Sequence, residues 1–119
     1  MSTNHFHLDS DAGEAIIHAD ANGSVELMFN DGKKFETSNT GVTITGNCNP
    51  DANNTRDLGT SSLRWANLYT NDLHLSNEGS SNDVDGSWGD WTIQEGESDL
   101  FLKNNRSGKK YKFNLTEVS

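Results

Sequence analysis

The chain has few of the residues that stabilise a small protein on its own. Of its 119 residues only 31% are hydrophobic, and 11 are glycines, which add no side chain to a core. Small domains already bury a modest fraction of their surface, so one copy of this composition would enclose little apolar area. The sequence nevertheless alternates regularly between strand-like and turn-like segments, which is not typical of disorder. We therefore expect the chain to complete its core against other copies of itself.

Cysteine and long apolar runs are also nearly absent. Cys48 is the only cysteine, which excludes an intrachain disulfide and a paired-cysteine metal site. No run approaches the roughly 20 apolar residues of a transmembrane helix. Residues 1–9 lack a basic segment followed by an apolar core, so we expect no signal peptide. These features predict a chain made in a cytoplasm, with no membrane insertion.

Basic charge is scarce as well. The chain has 9 lysines and arginines against 18 aspartates and glutamates, which gives a net charge of −9. Binding to a phosphate backbone needs clustered lysine and arginine, so we expect no nucleic-acid partner. The same charge disfavours an anionic membrane surface.

Catalytic motifs are missing from the sequence. There is no Gly-x-Ser-x-Gly, and Cys48 has no evident base partner. Glu95, Glu97 and Asp99 are close in sequence, but glycoside hydrolysis needs two carboxylates that face each other across a sugar. We expect a chain that is not an enzyme and carries no cofactor.

The residues that are present predict an all-β fold of short hairpins. β-branched and aromatic residues alternate with polar ones and are bounded by turn residues. The predicted strands are 24–29, 33–37, 42–45, 73–75, 99–103 and 109–115, and residues 14–19 form a short apolar run. Residues 1–13 are mostly polar, and 76–87 are predicted as an exposed loop or linker. We divide the chain into three parts, 1–46, 47–76 and 77–119.

Residues 57–69 form the densest local signature, which we call the hub segment. Its hydroxyl residues predict a capped turn or short 3₁₀ segment at 60–66, followed by a strand at 66–75. Trp65, Leu68 and Tyr69 are large side chains suited to packing. They are either core residues of a small β-domain or the packing residues of an oligomeric fibre, and we favour the second.

Two predicted hairpins share a plan. Residues 29–35 and 104–111 each contain a polar turn, then Gly-Lys-Lys, then an aromatic residue. Glycine supplies a positive φ in many turns, and lysines protect a strand edge from wrong partners. Common hairpin chemistry explains this similarity better than internal duplication.

Three segments resemble modules of tailed-phage virion proteins, especially marine ones. Residues 23–46, with Lys-Phe-Glu-Thr and Thr-Gly-Val-Thr-Ile-Thr-Gly, resemble a fibre-shaft repeat. The hub segment resembles the module that often follows this repeat in tail fibres and spikes. Residues 91–115 resemble a C-terminal block of phage virion structural proteins. The order of the three modules along one chain strengthens the resemblance.

The resemblance implies a β-rich homotrimer in which three chains wrap around one axis as an elongated, intertwined assembly. It implies a short tail fibre or fibre adaptor that contributes to host attachment, or alternatively a fibre-like head decoration. The chain would be assembled in the host cytoplasm and located in the virion, with other virion proteins as partners. The residues predicted to pack between the chains are Phe29, Phe35, Val42, Ile44, Trp65, Leu68 and Tyr69.

One metal-like spacing occurs, at His5-Phe6-His7. Two histidines two residues apart on a strand point to the same side. Three such pairs in a trimer would place six nitrogens around one axial ion, but two solvent-exposed histidines are the simpler interpretation. Asp9 and Asp20 lack the spacing of a calcium loop, which favours a solvated acidic face.

Tryptophan is the last functional candidate. Aromatic faces pack on the apolar faces of sugars, so a tryptophan platform could bind a host-surface glycan. Trp88 lies between Gly86-Ser87 and Gly89 and is predicted to be the most exposed ring. Trp65 and Trp91 are predicted to be packing residues.

Overall fold

A computed structural model describes residues 4–119, and these residues confirm the predicted all-β fold. The chain divides into two compact units, one ending at Leu58 and the other running from Gly59 to Ser119. Each unit contains one antiparallel sheet. Within the described residues, no helix has the length and apolar character required to cross a membrane. The first three positions of the predicted N-terminal part lie outside the described residues.

The first unit is a five-stranded meander in which each strand pairs with the next one along the chain. Its strands are β1 (His5–Asp9), β2 (Ala15–Asp20), β3 (Val25–Phe29), β4 (Gly32–Ser38) and β5 (Gly41–Ile44). Strands β3, β4 and β5 coincide with predicted strands within one residue, and β2 coincides with the apolar run at 14–19. Strand β1 lies in the segment predicted only as polar. Its alternation of histidine and aspartate with Phe6 and Leu8 is the two-residue period of a strand with one polar face.

The turn between β3 and β4 differs from its predicted chemistry. Asn30 and Asp31 both have positive φ, 53° and 59°, and they form the two-residue loop of a type I′ hairpin. Gly32 already belongs to β4 and does not supply the positive φ. In the second Gly-Lys-Lys hairpin, Gly108 does supply it, with φ of 73°. The two hairpins therefore have similar sequences but different turn conformations.

The second unit contains a four-stranded meander. Its strands are β6 (Leu73–Ser76), β7 (Asp90–Glu95), β8 (Leu100–Asn104) and β9 (Lys110–Lys112). Pairing of β6 with β7 joins the end of the predicted part 47–76 to the part 77–119 in one sheet. The three-part division itself stays a prediction.

The hub segment forms a tight turn and then irregular chain. The hydroxyl of Thr60 accepts a hydrogen bond from the Leu63 N–H at 3.0 Å, and the Thr60 N–H donates to the Leu63 carbonyl at 3.0 Å. This is the predicted capped turn. The predicted strand at 66–75 is mostly wrong, because regular pairing begins only at Leu73. Asn67, Asn71 and Asp72, which are poor strand residues, occupy much of the interval.

Gly59, where the turn begins, is required by geometry. Its φ is 84°, and a Cβ at this position would lie 2.9 Å from the carbonyl oxygen of Leu63. The same Cβ would lie 3.6 Å from Cδ1 of Trp65, so the indole packs directly beside the glycine. Both the backbone conformation and the close approach exclude a side chain here.

Neither unit has an enclosed hydrophobic core. Among the described residues no apolar side chain is buried, and the one buried residue is Thr92, which is 3% exposed. The Thr92 hydroxyl is hydrogen-bonded to Nδ1 of His74 at 3.0 Å and accepts from the Asn105 amide at 2.9 Å. The best-sheltered point of the second unit is thus a polar link between β6, β7 and the β8–β9 turn.

Candidate functional site

The first sheet has one continuous apolar face, which we call the β1–β5 apolar face. Directly paired residues in antiparallel strands point to the same side of a sheet. Leu27 of β3 pairs with Ile17 on one side and with Phe35 on the other, so it lies near the centre of this face. Its members are Phe6, Leu8, Ile17, Ala19, Val25, Leu27, Phe35, Val42 and Ile44.

Among the described residues of the first unit, no element covers this face. Phe6 and Val42 are each 58% exposed, and the central Leu27 is 43% exposed. Monomeric soluble proteins rarely leave contiguous apolar patches larger than a few hundred Å² in water. The face has the composition of half of a protein core.

The opposite face of the same sheet is mostly polar and charged, and it also carries Ile16 and Met28. Lys33 contacts Glu26 at 3.0 Å and Glu36 at 2.5 Å, which links β3 and β4. The hydrogen bond to Glu36 raises the pKa of the Lys33 amine, and the hydrogen bond from Lys33 lowers the pKa of the Glu26 carboxyl. The sheet is therefore amphipathic, with one face suited to water and one suited to burial.

The second sheet repeats this arrangement. Most of its apolar side chains lie on one face, to which all four strands contribute: Leu73, Leu75, Trp91, Ile93, Leu100, Leu102 and Tyr111. Phe101, which pairs with Gln94 and Lys112, lies on the other face. The rings of Trp91 and Tyr111 approach to 5.9 Å between centroids. Leu75 and Tyr111 are 50% and 47% exposed, so this face is also open.

The residues predicted to pack between chains fall into two groups. Phe35, Val42 and Ile44 lie on the β1–β5 apolar face, while Phe29, at the end of β3, is 73% exposed. Trp65, Leu68 and Tyr69 of the hub segment are 69%, 65% and 91% exposed. All of these side chains except the half-buried Phe35 are open to solvent in a single copy.

The predicted histidine pair lies on the polar face of the first sheet. The β1–β2 register places His5 opposite Asp20 and His7 opposite His18. Nδ1 of His5 is hydrogen-bonded to Oδ1 of Asp20, and Nε2 of His7 lies 3.4 Å from the same oxygen. The hydrogen bond with His5 lowers the pKa of the Asp20 carboxyl. Three metal-ligating side chains thus converge on one point, and one of them was not predicted.

Two further groups surround this cluster. The rings of His7 and His18 stack with centroids 4.1 Å apart. His18 in turn lies 3.2 Å from a carboxylate oxygen of Asp9, through Nε2. Sequence reasoning missed the role of Asp20 because its position depends on the register of β1 against β2. The alternating His-Phe-His-Leu-Asp pattern, followed by a short turn, was the available signal.

Trp88 lies beside an open groove of about 1070 Å³ in the second unit. The ring is half-buried, less exposed than the sequence predicts, because Arg106 stacks over it with its guanidinium carbon 3.7 Å from the ring centroid. Arg106 also donates a hydrogen bond to the Trp88 carbonyl at 2.8 Å. The groove is further lined by Trp91, Asp85 and Asn82. Aromatic rings beside polar side chains are typical of carbohydrate-binding surfaces.

The loop that borders this groove is held by its own hydrogen bonds. Asp85 accepts from the Ser87 hydroxyl at 2.7 Å, from the Ser87 N–H at 3.0 Å and from the Asn82 amide at 2.8 Å. These bonds, that of the Ser87 hydroxyl first, lower the pKa of Asp85 to about 2. Asn77 ties the ends of the loop together by accepting from the Gly89 N–H at 2.7 Å.

Comparison with known proteins identifies no relative: no protein-family model, curated protein or solved structure matches the chain.

Proposed function

We propose that the chain is a structural protein of a phage virion, a short trimeric tail fibre or fibre adaptor that contributes to host attachment. In this role three copies share one interior, and the chain acts by assembly and not by catalysis. The resemblance of residues 23–46, 57–69 and 91–115 to virion modules suggests the phage assignment. The observation that supports a shared interior is that each sheet has one exposed apolar face.

The argument for association rests on what a single copy leaves in water. Two amphipathic sheets each present an apolar face, and among the described residues no apolar side chain is buried. The hydrophobic effect favours covering these faces, at about 25 cal/mol for each Å² of apolar surface removed from water. A second and third copy of the same chain offer faces of matching chemistry, and symmetric assembly of identical chains is the commonest solution.

Mass in solution is the direct test of this proposal. Sedimentation equilibrium of the full chain at micromolar concentration should give three times the 13.1-kDa chain mass, about 39 kDa. A mass of one chain across the whole concentration range would contradict the proposal.

The place in the particle needs a separate experiment. A density map of an assembled particle that carries the protein should show it at the tail. Density on the head would favour the alternative role as a head decoration or head fibre. Absence from the particle would remove both virion assignments.

A host-surface glycan-binding module is the second candidate function, and the groove beside Trp88 supports it. A glycan array should show binding that Trp88→Ala removes. Val84→Ala is the matched control, because Val84 lies in the same loop, is 91% exposed and does not line the groove. An array with no signal for the native chain, or equal loss in the two variants, would contradict this function.

A further inference from the structure

We propose that His5, His7 and Asp20 bind a divalent first-row transition ion such as Zn²⁺ within a single chain. This site goes beyond the proposed structural role and does not depend on it, because all three ligands come from one β1–β2 hairpin. It also differs from the axial arrangement considered from the sequence, in which only histidines from three chains take part.

The ligand geometry is the first reason. Nδ1 of His5, Nε2 of His7 and a carboxylate oxygen of Asp20 all lie within 4.8 Å of one another. Zinc binds imidazole nitrogen and carboxylate oxygen at about 2.0–2.2 Å, so ligand atoms around one ion lie about 3–3.5 Å apart. The separation of 3.4 Å between His7 and Asp20 already falls in this range. The His5–Asp20 hydrogen bond is shorter, so an ion that binds between these two side chains replaces this bond.

The backbone supplies the second reason. His5 and Asp20 are direct partners in the antiparallel register, and His7 follows His5 by the two-residue period of a strand. The three side chains therefore share one face because of strand pairing, and not because of a chance approach of flexible loops.

The chemistry of the ligands selects the class of ion. Imidazole suits zinc, copper, nickel and iron, whereas calcium and magnesium prefer oxygen ligands. Two imidazoles and one carboxylate also leave at least one coordination position open to water. The carboxylate of Asp9, which contacts His18 beside His7, adds negative charge near the bound cation.

Calorimetric titration of the tag-free, chelator-treated chain with ZnCl₂ tests the site. We expect one Zn²⁺ per chain, and no detectable binding of Ca²⁺ under the same conditions. Asp20→Asn and His7→Gln should each weaken Zn²⁺ binding by at least about tenfold. Loss of an outer-shell partner already costs about tenfold or more, and loss of a direct ligand should cost at least as much. Circular dichroism of each variant should match that of the native chain, because all three ligands are on the surface.

Two matched control variants test whether Zn²⁺ binding depends on this site and not on the overall charge or the number of histidines. Asp11→Asn removes the same charge from the exposed turn after β1, and His74→Gln removes a histidine from the other sheet. Both should bind Zn²⁺ as the native chain does. One Zn²⁺ per three chains with no effect of Asp20→Asn would overturn the proposal, and so would loss of binding in the controls or no Zn²⁺ binding by the native chain.

Discussion

Leu27→Asn is the sharpest perturbation of the proposed shared interior. Leu27 lies on the central strand β3 and pairs with Ile17 and Phe35, so an asparagine there places an amide in the middle of the β1–β5 apolar face. In a single copy the position is 43% exposed, and the amide can reach water. The variant should therefore affect association much more than the fold of one unit.

The expected magnitude follows from burial. Full burial of a leucine contributes about 1.5–3 kcal/mol, so covering the exposed 43% of Leu27 contributes about 1 kcal/mol per copy. A buried amide without a partner costs about 1–3 kcal/mol. The lower ends of these ranges give a loss of about 2 kcal/mol per copy and about 6 kcal/mol per trimer.

This free energy converts into a measurable shift. A loss of about 6 kcal/mol raises the dissociation constant of the trimer about 10⁴-fold. The protein concentration at the midpoint of dissociation varies as the square root of this constant, so it rises about 100-fold. Sedimentation equilibrium across a concentration series measures this midpoint. Thr43→Asn is the matched control, because Thr43 lies on the opposite, polar face beside Glu36 and is already exposed. Equal midpoints for the two variants would refute the assignment of the interface to the apolar face.

Three further predictions concern the second unit. Gly59→Ala should lower the free energy of unfolding by about 1–3 kcal/mol, because it forces a side chain into left-handed backbone against the Leu63 carbonyl. Thr92→Val should lower it by about 1–2 kcal/mol through two lost hydrogen bonds. Both values come from urea denaturation. The folded loop stabilises the charged form of Asp85. Its contribution to the free energy of unfolding is therefore present above about pH 4 and is lost as the pH falls towards 2. An NMR titration of the Ser87 amide would follow this change.

The two substitutions each have a matched control, and the titration has its own contradicting outcome. Gly79→Ala has the same φ of 84° but nothing within 4 Å of the new Cβ, so it should be the milder glycine variant. Thr43→Val alters an exposed threonine and should change stability by less than about 0.5 kcal/mol. Equal changes in stability for Gly59→Ala and Gly79→Ala, or for Thr92→Val and Thr43→Val, would contradict the local contacts proposed for Gly59 and Thr92. A Ser87 amide that titrates at the ordinary carboxyl pKa near 3.8 would contradict the hydrogen-bonded loop.

The fold was predictable where local signals agreed. Asn30-Asp31-Gly32 between two alternating segments predicted the β3–β4 hairpin, although the positive φ values belong to Asn30 and Asp31. Val42 and Ile44 alternate with Thr43 and Thr45, which predicted β5. The predicted strand at 66–75 forms only from Leu73 onward, because the asparagines before Leu73 disfavour extended pairing.

The candidate sites were less predictable, because they depend on contacts between distant residues. The histidine spacing was visible in the sequence, whereas Asp20 joins the cluster only through the register of β2 against β1. The cover over Trp88 comes from Arg106, 18 residues away. A local sequence pattern does not show which loop will contact a given aromatic ring in the fold.

The central claim is that a single copy cannot bury its apolar faces and that three copies do so together. Sedimentation equilibrium of the native chain at micromolar concentration tests it most directly. The account predicts a species of about 39 kDa, three times the 13.1-kDa chain, that dissociates only on dilution. A 13.1-kDa species that keeps its sheet structure at every concentration would contradict it.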